Sequence, residues 1–230
     1  MNRQLPLGLQ LRASARFSGF VAGANDELLQ QLQALAAGEG EAVFFCYGPR
    51  GCGKTHLLQA CCQAASAEGR GAAYLPLREL SGMQPELLEG WEQYPLVCAD
   101  DVDAIAGKRS WEEALFHLCN RIRERHGHLL VSAPAPPAAL SFGLPDLASR
   151  LGWGPVYQIQ PLDDEQRLQA LQLRARQYGC ELPEETGRYL LRRLPRDLPA
   201  LFERLERLDR ASLAAQRRLT VPFVKSVLDL

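Results

Sequence analysis

Hydrophobic residues form five short runs in the first two thirds of the chain, and between these runs they recur at intervals of three and four residues. The runs cover residues 42–47, 72–77, 96–99, 128–132 and 156–159. Runs of this length predict buried strands, whereas apolar residues spaced three and four positions apart predict helices with one apolar face. Strands that alternate with helices predict an α/β fold, here a parallel five-stranded sheet whose ligand lies at the carboxyl ends of the strands.

From Pro161 onward the pattern predicts helices alone. Residues that favour helix starts precede the apolar segments here, namely Asp163 or Asp164, Pro183 with Glu184, Asp197, and Thr220 with Pro222. We therefore expect a small all-helical domain over residues 161–230, after an α/β domain over residues 16–160. The helical part carries 13 Arg or Lys and 11 Asp or Glu, which disfavours a basic DNA-binding face.

Two further helix starts and one loop complete the predicted elements. Asn25 is placed to cap a helix that ends at Gly38, and Ser110 is placed to cap a helix that runs through Arg125. Three prolines among residues 133–137 predict a loop without helix after the fourth strand.

The composition narrows the protein class. The 26 basic and 27 acidic residues give a net charge of −1, so no bulk field attracts the chain to nucleic acid or to a membrane. The apolar runs are too short to span a bilayer, and no signal-peptide core follows Met1. Seven cysteines without a C-x-x-C pair favour a reducing compartment and give no zinc spacing. These features predict a cytoplasmic protein without a membrane partner.

Residues 48–55, Gly-Pro-Arg-Gly-Cys-Gly-Lys-Thr, match the phosphate-binding pattern G-x-x-x-x-G-K-[ST] at every position. The segment lies between a predicted strand and a predicted helix, as the pattern requires. Glycines let successive backbone N–H groups face an anion, Lys54 is placed for the β- and γ-phosphates, and the Thr55 hydroxyl is placed for Mg²⁺. The candidate nucleotide-binding residues in this segment are Pro49, Arg50, Gly51, Cys52, Gly53, Lys54 and Thr55.

Two carboxylates follow the third predicted strand. Asp100 is placed to bind Mg²⁺ directly or through water, and Asp101 to orient or deprotonate an attacking water. Taken alone, the same pattern fits a strand that ends in a solvated acidic turn. The complete phosphate loop upstream favours the second half of a P-loop ATPase site.

Residues 1–15 form a predicted tail with two interpretations. Leu5, Leu7 and Leu9 alternate with Pro, Gly and polar residues, which suits an extended peptide whose leucines enter pockets of a partner while Gln4 makes a directed hydrogen bond. The same composition is typical of a flexible terminus.

An apolar segment precedes the first long helix. Within it, Phe20 and Val21 are candidates to cover a nucleotide base. Apolar linkers of this kind more often belong to a core, so the segment alone does not decide between the two roles.

Together these motifs resemble the AAA+ ATPases, and in detail the Hda family, the DnaA-homologous regulatory inactivators of the replication initiator DnaA. The matching segments are residues 20–23, 53–58, 100–102, 106–108, 147–154 and 196–198. The resemblance implies an AAA+ P-loop domain followed by a helical lid. It also implies nucleotide contacts for Phe20, Val21, His56 and, as the second sensor on the lid, Arg196.

The resemblance further implies that Arg150 is an arginine finger that acts in trans. Arg150 would lie beside the ATP bound to DnaA and stabilise charge on the transferred phosphoryl group. Without the surrounding segment, Arg150 would be interpreted as part of a surface ion pair. The chain's own nucleotide, ADP or ATP with Mg²⁺, would set the angle between the two domains so that the finger is presented.

Two terminal features distinguish the Hda family from DnaA itself. Residues 4–9 resemble a motif that binds the DNA polymerase III β sliding clamp on DNA. No residues follow the lid that could form the DNA-binding domain of the initiator. The resemblance therefore implies a chain that is tethered to the clamp and makes no direct sequence-specific DNA contact.

One position departs from the family pattern. Where relatives have Asp and Arg after the fourth strand, this chain has Pro134 and Ala135, and Ser132 is the nearest polar side chain. Loss of a sensor carboxylate predicts nucleotide binding with slow hydrolysis at most. Alternatives on the same fold are an autonomous ATPase of the helicase-loader type and a remnant of a DNA-binding initiator, which the lack of a basic helix-turn-helix disfavours. Head-to-tail contacts between copies, and hence a homo-oligomer, stay open.

Overall fold

The computed structural model describes residues 15–195 and 197–229. The contacts of the chain fall into two compact units. The described part of the first unit consists of residues 15–17 and 25–160, and that of the second consists of residues 18–24, 161–195 and 197–229. Within these described ranges, no helix is both long and apolar enough to cross a bilayer.

The first unit is built on a five-stranded sheet in which all paired neighbours run parallel. The strands are β1 (Val43–Tyr47), β2 (Ala72–Pro76), β3 (Leu96–Asp100), β4 (His128–Ala133) and β5 (Val156–Gln158). Their order across the sheet is β2-β3-β4-β1-β5. The predicted α/β class and parallel five-stranded sheet are confirmed.

Helices connect the strands, because parallel neighbours require a crossover. The first unit contains α1 (Asp26–Ala37), α2 (Lys54–Ala67), α3 (Leu77–Leu80), α4 (Arg109–Glu124) and α5 (Pro145–Leu151). Single 3₁₀ turns cover Phe17–Gly19, Pro85–Leu88, Trp91–Gln93, Val102–Ile105 and Pro137–Ala139. The second unit contains α6 (Asp164–Tyr178), α7 (Glu184–Arg193), α8 (Leu198–Ala215) and α9 (Val221–Leu228).

Each unit has its own hydrophobic core. Every residue of β3 and β4 is buried, whereas the edge strand β5 is largely exposed. Strands buried on both faces form continuous apolar runs, which explains why the hydrophobic pattern located them. The sheet core extends into α4 and α5 through Trp111, Leu115 and Leu147. The second core is mainly leucine and draws on all four helices, through Leu168, Leu190, Leu205 and Val224.

Two helix starts in the second unit follow their predicted capping chemistry. Asp163 and Gln166 form a reciprocal capping box at the start of α6, with bonds of 2.8 and 3.0 Å. Asp197 accepts the N–H of Ala200 at 3.2 Å at the start of α8. Both carboxylates satisfy backbone donors that a helix leaves without an internal partner.

Two helix starts in the first unit differ from the prediction. Asn25 occupies the N-cap position of α1, but its side chain instead bonds both backbone groups of Gln160, at 2.7 and 3.1 Å. The prediction that Ser110 caps α4 is wrong, because α4 begins at Arg109 and Ser110 lies inside its first turn. Glu112 holds this start instead, since its side chain accepts the N–H of Gly107 at 2.6 Å.

Candidate nucleotide-binding site

The phosphate-binding loop joins the end of β1 to the start of α2. Gly53 has a φ of 104°, in the left-handed region that glycine adopts at low cost. A Cβ on Gly48 would lie 2.8 Å from Cys52 Sγ and 3.2 Å from the backbone oxygen of Ile159, so any larger residue there would crowd the loop. The loop geometry therefore suits close approach of a phosphate to the backbone and to the amino end of α2.

Lys54 is almost buried, with 8% of its surface exposed, and its ammonium points back at the loop. Nζ donates to the backbone oxygens of Gly48 at 2.8 Å and of Pro49 at 3.1 Å. A polyphosphate would accept hydrogen bonds from the same Nζ, so the lysine is held where the phosphate pattern requires it.

The neighbouring side chains of the loop differ in exposure. Arg50 and Thr55 are exposed, and Nε2 of His56 lies 2.9 Å from the backbone oxygen of Arg16. Burial raises the pKa of the Cys52 thiol, an effect that the nearby Lys54 ammonium opposes in part. Cys52 is therefore a lining residue of the loop and not an activated thiol.

Asp100 is buried at the end of β3, where two hydroxyl groups hold its carboxylate. Tyr74 donates to Oδ2 at 2.7 Å, and Ser132 donates to Oδ1. The Ser132 hydroxyl also accepts the N–H of Asp101 at 3.0 Å. Burial and the adjacent Asp100 raise the pKa of Tyr74, which keeps the phenol a hydrogen-bond donor. The carboxylate predicted to bind Mg²⁺ is thus fixed in one orientation.

Asp101 lies in a different environment. Its backbone has a φ of 55°, and its carboxylate accepts Nε of Arg78 at 2.8 Å. The same guanidinium donates to Asp103 at 3.0 Å. The hydrogen bond to Asp101, and to a smaller degree that to Asp103, raises the pKa of Arg78. The carboxylate predicted to orient the attacking water is therefore paired with an arginine of its own chain.

The strand order brings these groups to one edge of the sheet. Cys46 of β1 pairs with Ser132 of β4, and the N–H of Gly48 donates to the oxygen of Ala133 at 3.2 Å. The carboxyl ends of β1, β3 and β4 therefore meet at the phosphate loop. Oxygen ligands and a hydroxyl at such an edge fit Mg²⁺, with Thr55 and Asp100 as the residues available to hold it beside a nucleotide.

Arg150, on α5, is held by aromatic rings. Its guanidinium carbon lies 3.7 Å from the ring centroid of Trp153 and 5.0 Å from that of Phe116. The guanidinium carbon of Arg123 lies 4.6 Å from the same tryptophan ring, and 49% of the Trp153 surface is exposed. Among the residues that the structure describes, no carboxylate pairs with Arg150. The surface ion pair considered for this residue is absent from that part of the chain.

The position of Trp153 shows which end of the sheet Arg150 approaches. The adjacent Gly154 packs directly against β1, since a Cβ built on it would lie 1.7 Å from the backbone oxygen of Val43, the first residue of that strand. The phosphate loop instead follows the last residue of β1, Tyr47. A strand of five residues spans about 13 Å, so Arg150 is anchored at the end of β1 remote from the loop.

Solved structures of other proteins share this fold. Domain III of DnaA from Thermotoga maritima matches with a TM-score of 0.83 and 22% identity, over 96% of this chain and 98% of that one. AMPPCP-bound DnaA from Aquifex aeolicus matches with a TM-score of 0.72 and 24% identity, over 85% and 65%. The RuvB Holliday junction branch migration motor from Thermotoga maritima matches with a TM-score of 0.67 and 13% identity, over 89% and 68%.

The second unit supplies the more specific similarity. Residues 164–228 match the family model of the Hda lid domain. The chain shares the fold of domain III of DnaA and carries a lid that matches the Hda lid domain. The helical lid predicted after the sheet domain is thereby confirmed, and the match supports the resemblance to the Hda family over residues 164–228.

Several predicted site residues belong to the second unit or lie outside the described residues. Phe20 and Val21 are half-buried in the second unit, which includes residues 18–24 together with the lid. The second-sensor candidate Arg196 lies outside the described residues. So do the clamp-motif residues Gln4, Leu5, Leu7 and Leu9. The roles assigned to them stay predictions.

Tyr74 and Arg78 are site neighbours that the sequence motifs did not reveal. Tyr74 lies on β2, and Arg78 follows β2 on α3. Both reach the aspartates because β2 pairs with β3, with Pro76 opposite Asp100. No local signal marks this adjacency, since it depends on the order of strands in the sheet.

Proposed function

We propose that the chain is a regulatory inactivator of DnaA that stimulates hydrolysis of DnaA-bound ATP and so prevents re-initiation of DNA replication. The Hda-type lid and the DnaA-like AAA+ fold support a partner of this kind. In this role Arg150 supplies its guanidinium to a nucleotide held by DnaA, while the chain's own loop holds ADP.

The placement of Arg150 is the observation that carries the proposal. Through Trp153 and Gly154 it is anchored beside Val43, at the opposite end of β1 from the phosphate loop. A guanidinium there is remote from any phosphate bound at Lys54. The residue therefore suits a phosphate that a second polypeptide presents.

The chemistry of an arginine finger fits the environment of this side chain. Such a residue stabilises charge that develops on the transferred phosphoryl group and is worth about 10³ to 10⁵ in rate. The ring of Trp153 fixes the guanidinium plane without neutralising its charge. The charge is thus retained for the partner's nucleotide, which supports catalysis in trans over a structural ion pair.

The chain's own nucleotide site supports binding more than turnover. Lys54, Thr55 and Asp100 would hold ADP, or ATP, with Mg²⁺, whose charge would offset that of the phosphates. Asp101 is paired with Arg78, and no sensor carboxylate follows β4. Slow intrinsic hydrolysis follows, which disfavours an autonomous ATPase of the helicase-loader type. In the same proposal Phe20, Val21, His56 and Arg196 contact the nucleotide, as the family resemblance implies.

Clamp tethering completes the proposed cycle. Residues 4–9 would bind the DNA polymerase III β clamp on DNA and so concentrate the chain near its partner. This part of the proposal depends on the sequence motif and its resemblance alone.

The decisive assay mixes the chain, ADP, clamp loaded on DNA and ATP-bound DnaA, and follows phosphate release. We expect Arg150→Ala to lower the stimulated rate by about 10³ or more, because the charge-stabilising group is removed. ADP affinity and the melting temperature of the chain should stay nearly unchanged.

Arg125→Ala is the matched control, since it removes an exposed arginine from the end of α4 and should leave the rate unchanged. Stimulation that survives in Arg150→Ala would rule out the trans role. Rapid phosphate release without DnaA would favour the autonomous ATPase instead.

A further inference from the structure

Glu112 is a fully buried side chain that plays no part in the site described above. Oε1 accepts the N–H of Gly107 at 2.6 Å and that of Gly143 at 3.0 Å, and Oε2 accepts the N–H of Leu144 at 2.7 Å. Burial of a polar side chain is costly unless its hydrogen bonds are made. Glu112 therefore ties two loops together that are remote in sequence.

The first of these loops begins at the nucleotide-site carboxylates. Asp100 and Asp101 lead into the 3₁₀ turn Val102–Ile105, and Gly107 follows two residues later. Ligand binding at the phosphate edge that changes the contacts of Asp101 would therefore reach Gly107 through a single short turn.

The second loop leads into the helix of the arginine finger. Leu144 is the N-cap residue of α5, and Gly143 immediately precedes it. Leu147 and Leu151 bury one face of α5 in the sheet core, and Arg150 lies between them in sequence on the same short helix. The hydrogen bonds of Glu112 thus connect the carboxylate loop to the start of the helix that carries the finger.

We propose that Glu112 is a positioning residue that couples occupancy of the chain's own nucleotide site to the placement of Arg150. The proposal depends on the proposed function, because it takes Arg150 as the group that serves the partner's nucleotide. Every contact in this path lies inside the first unit. The coupling therefore requires no movement of the lid.

Glu112→Gln tests the coupling with little change in side-chain volume. An amide has one accepting oxygen, so the variant must lose either the Leu144 bond or both glycine bonds. Hydrogen exchange of the full chain, with and without ADP and Mg²⁺, is compared with phosphate release from ATP-bound DnaA on the clamp.

In the unsubstituted chain we expect ADP to slow exchange at residues 48–58 and also at residues 143–151. In Glu112→Gln we expect protection of the phosphate loop alone. The stimulated rate at saturating chain should fall on the order of tenfold, because small misplacement of a catalytic group is costly, while the half-saturating concentration stays unchanged.

Glu113→Gln is the matched control, because Glu113 is adjacent, half-exposed and paired with Arg109. It should behave like the unsubstituted chain. Equal ADP protection of residues 143–151 in Glu112→Gln, or a lowered melting temperature with an unchanged stimulated rate, would overturn the proposal and leave Glu112 a structural residue.

If Glu112→Gln does not fold, Glu112→Asp is measured in the same way, with the same two outcomes. Its carboxylate is one methylene shorter and cannot reach both loops at once. If the unsubstituted chain shows the ADP effect at residues 143–151 but does not stimulate DnaA, the proposed function fails while the internal coupling stands.

Discussion

Lys54 and Arg150 lie at opposite ends of β1 and are held in opposite ways. The Lys54 ammonium is almost buried and donates to two carbonyl oxygens of its own loop. Arg150 lies over the ring of Trp153 and, in the part of the chain that the structure describes, has no carboxylate partner. A cation whose hydrogen bonds are made within its own loop maintains a binding site there. A cation that is oriented without a carboxylate partner retains its charge, which the proposed role in trans requires.

Lys54→Ala should give the largest effect on the nucleotide side of this comparison. We expect ADP to bind about a hundredfold more weakly, because charge-assisted hydrogen bonds to phosphate worth about 3 kcal/mol are lost. Isothermal titration with ADP and Mg²⁺ measures this directly.

The control for that titration is Lys108→Ala, since Lys108 is an exposed lysine that also donates to a backbone oxygen, that of Ser81 at 3.1 Å. It should bind ADP normally. Unchanged affinity in Lys54→Ala would mean that the phosphates bind elsewhere.

Trp153→Ala should give the next largest effect, on the arginine side. Loss of a cation–π contact worth about 1 kcal/mol leaves the guanidinium less ordered, so we expect the stimulated rate of DnaA-bound ATP hydrolysis to fall about fivefold. ADP affinity should not change. Trp153→Phe retains an aromatic face and should restore most of the rate; equal loss in both variants would show that the ring does not orient Arg150.

Arg78→Met should give the smallest effect and the opposite sign. Freed from its ion pair, Asp101 becomes available to water, and intrinsic ATP hydrolysis should rise up to about fivefold, because an exposed pair is worth about 1 kcal/mol at most. Single-turnover hydrolysis without DnaA measures the rate. Arg109→Met breaks the comparable exposed pair with Glu113 and serves as control. A rate that stays the same or falls in Arg78→Met would show that the pair does not restrain Asp101.

The elements and motifs with a local signature could be predicted, and the contacts between distant segments could not. Asp163 caps α6 as its capping sequence indicates, but the side chain of Asn25 bonds Gln160 and leaves its helix uncapped. Ser110 has a capping residue type, yet Glu112 holds the helix start through Gly107. The partner of Asn25 lies 135 residues away, where no local pattern could indicate it, whereas at α4 the helix begins one residue earlier than the capping residue type suggests.

The amino-acid sequence by itself determined the phosphate loop, the alternation of strands and helices, and the family of the lid, because each depends on residues that are close together in the chain. Only the tertiary structure decided that Tyr74 and Ser132 hold Asp100, that Arg78 pairs with Asp101, and that Arg150 lies at the end of β1 remote from Lys54. These contacts follow from the strand order β2-β3-β4-β1-β5, which places residues that are distant in sequence side by side. Strand order is set by packing of the whole sheet, and no short segment encodes it.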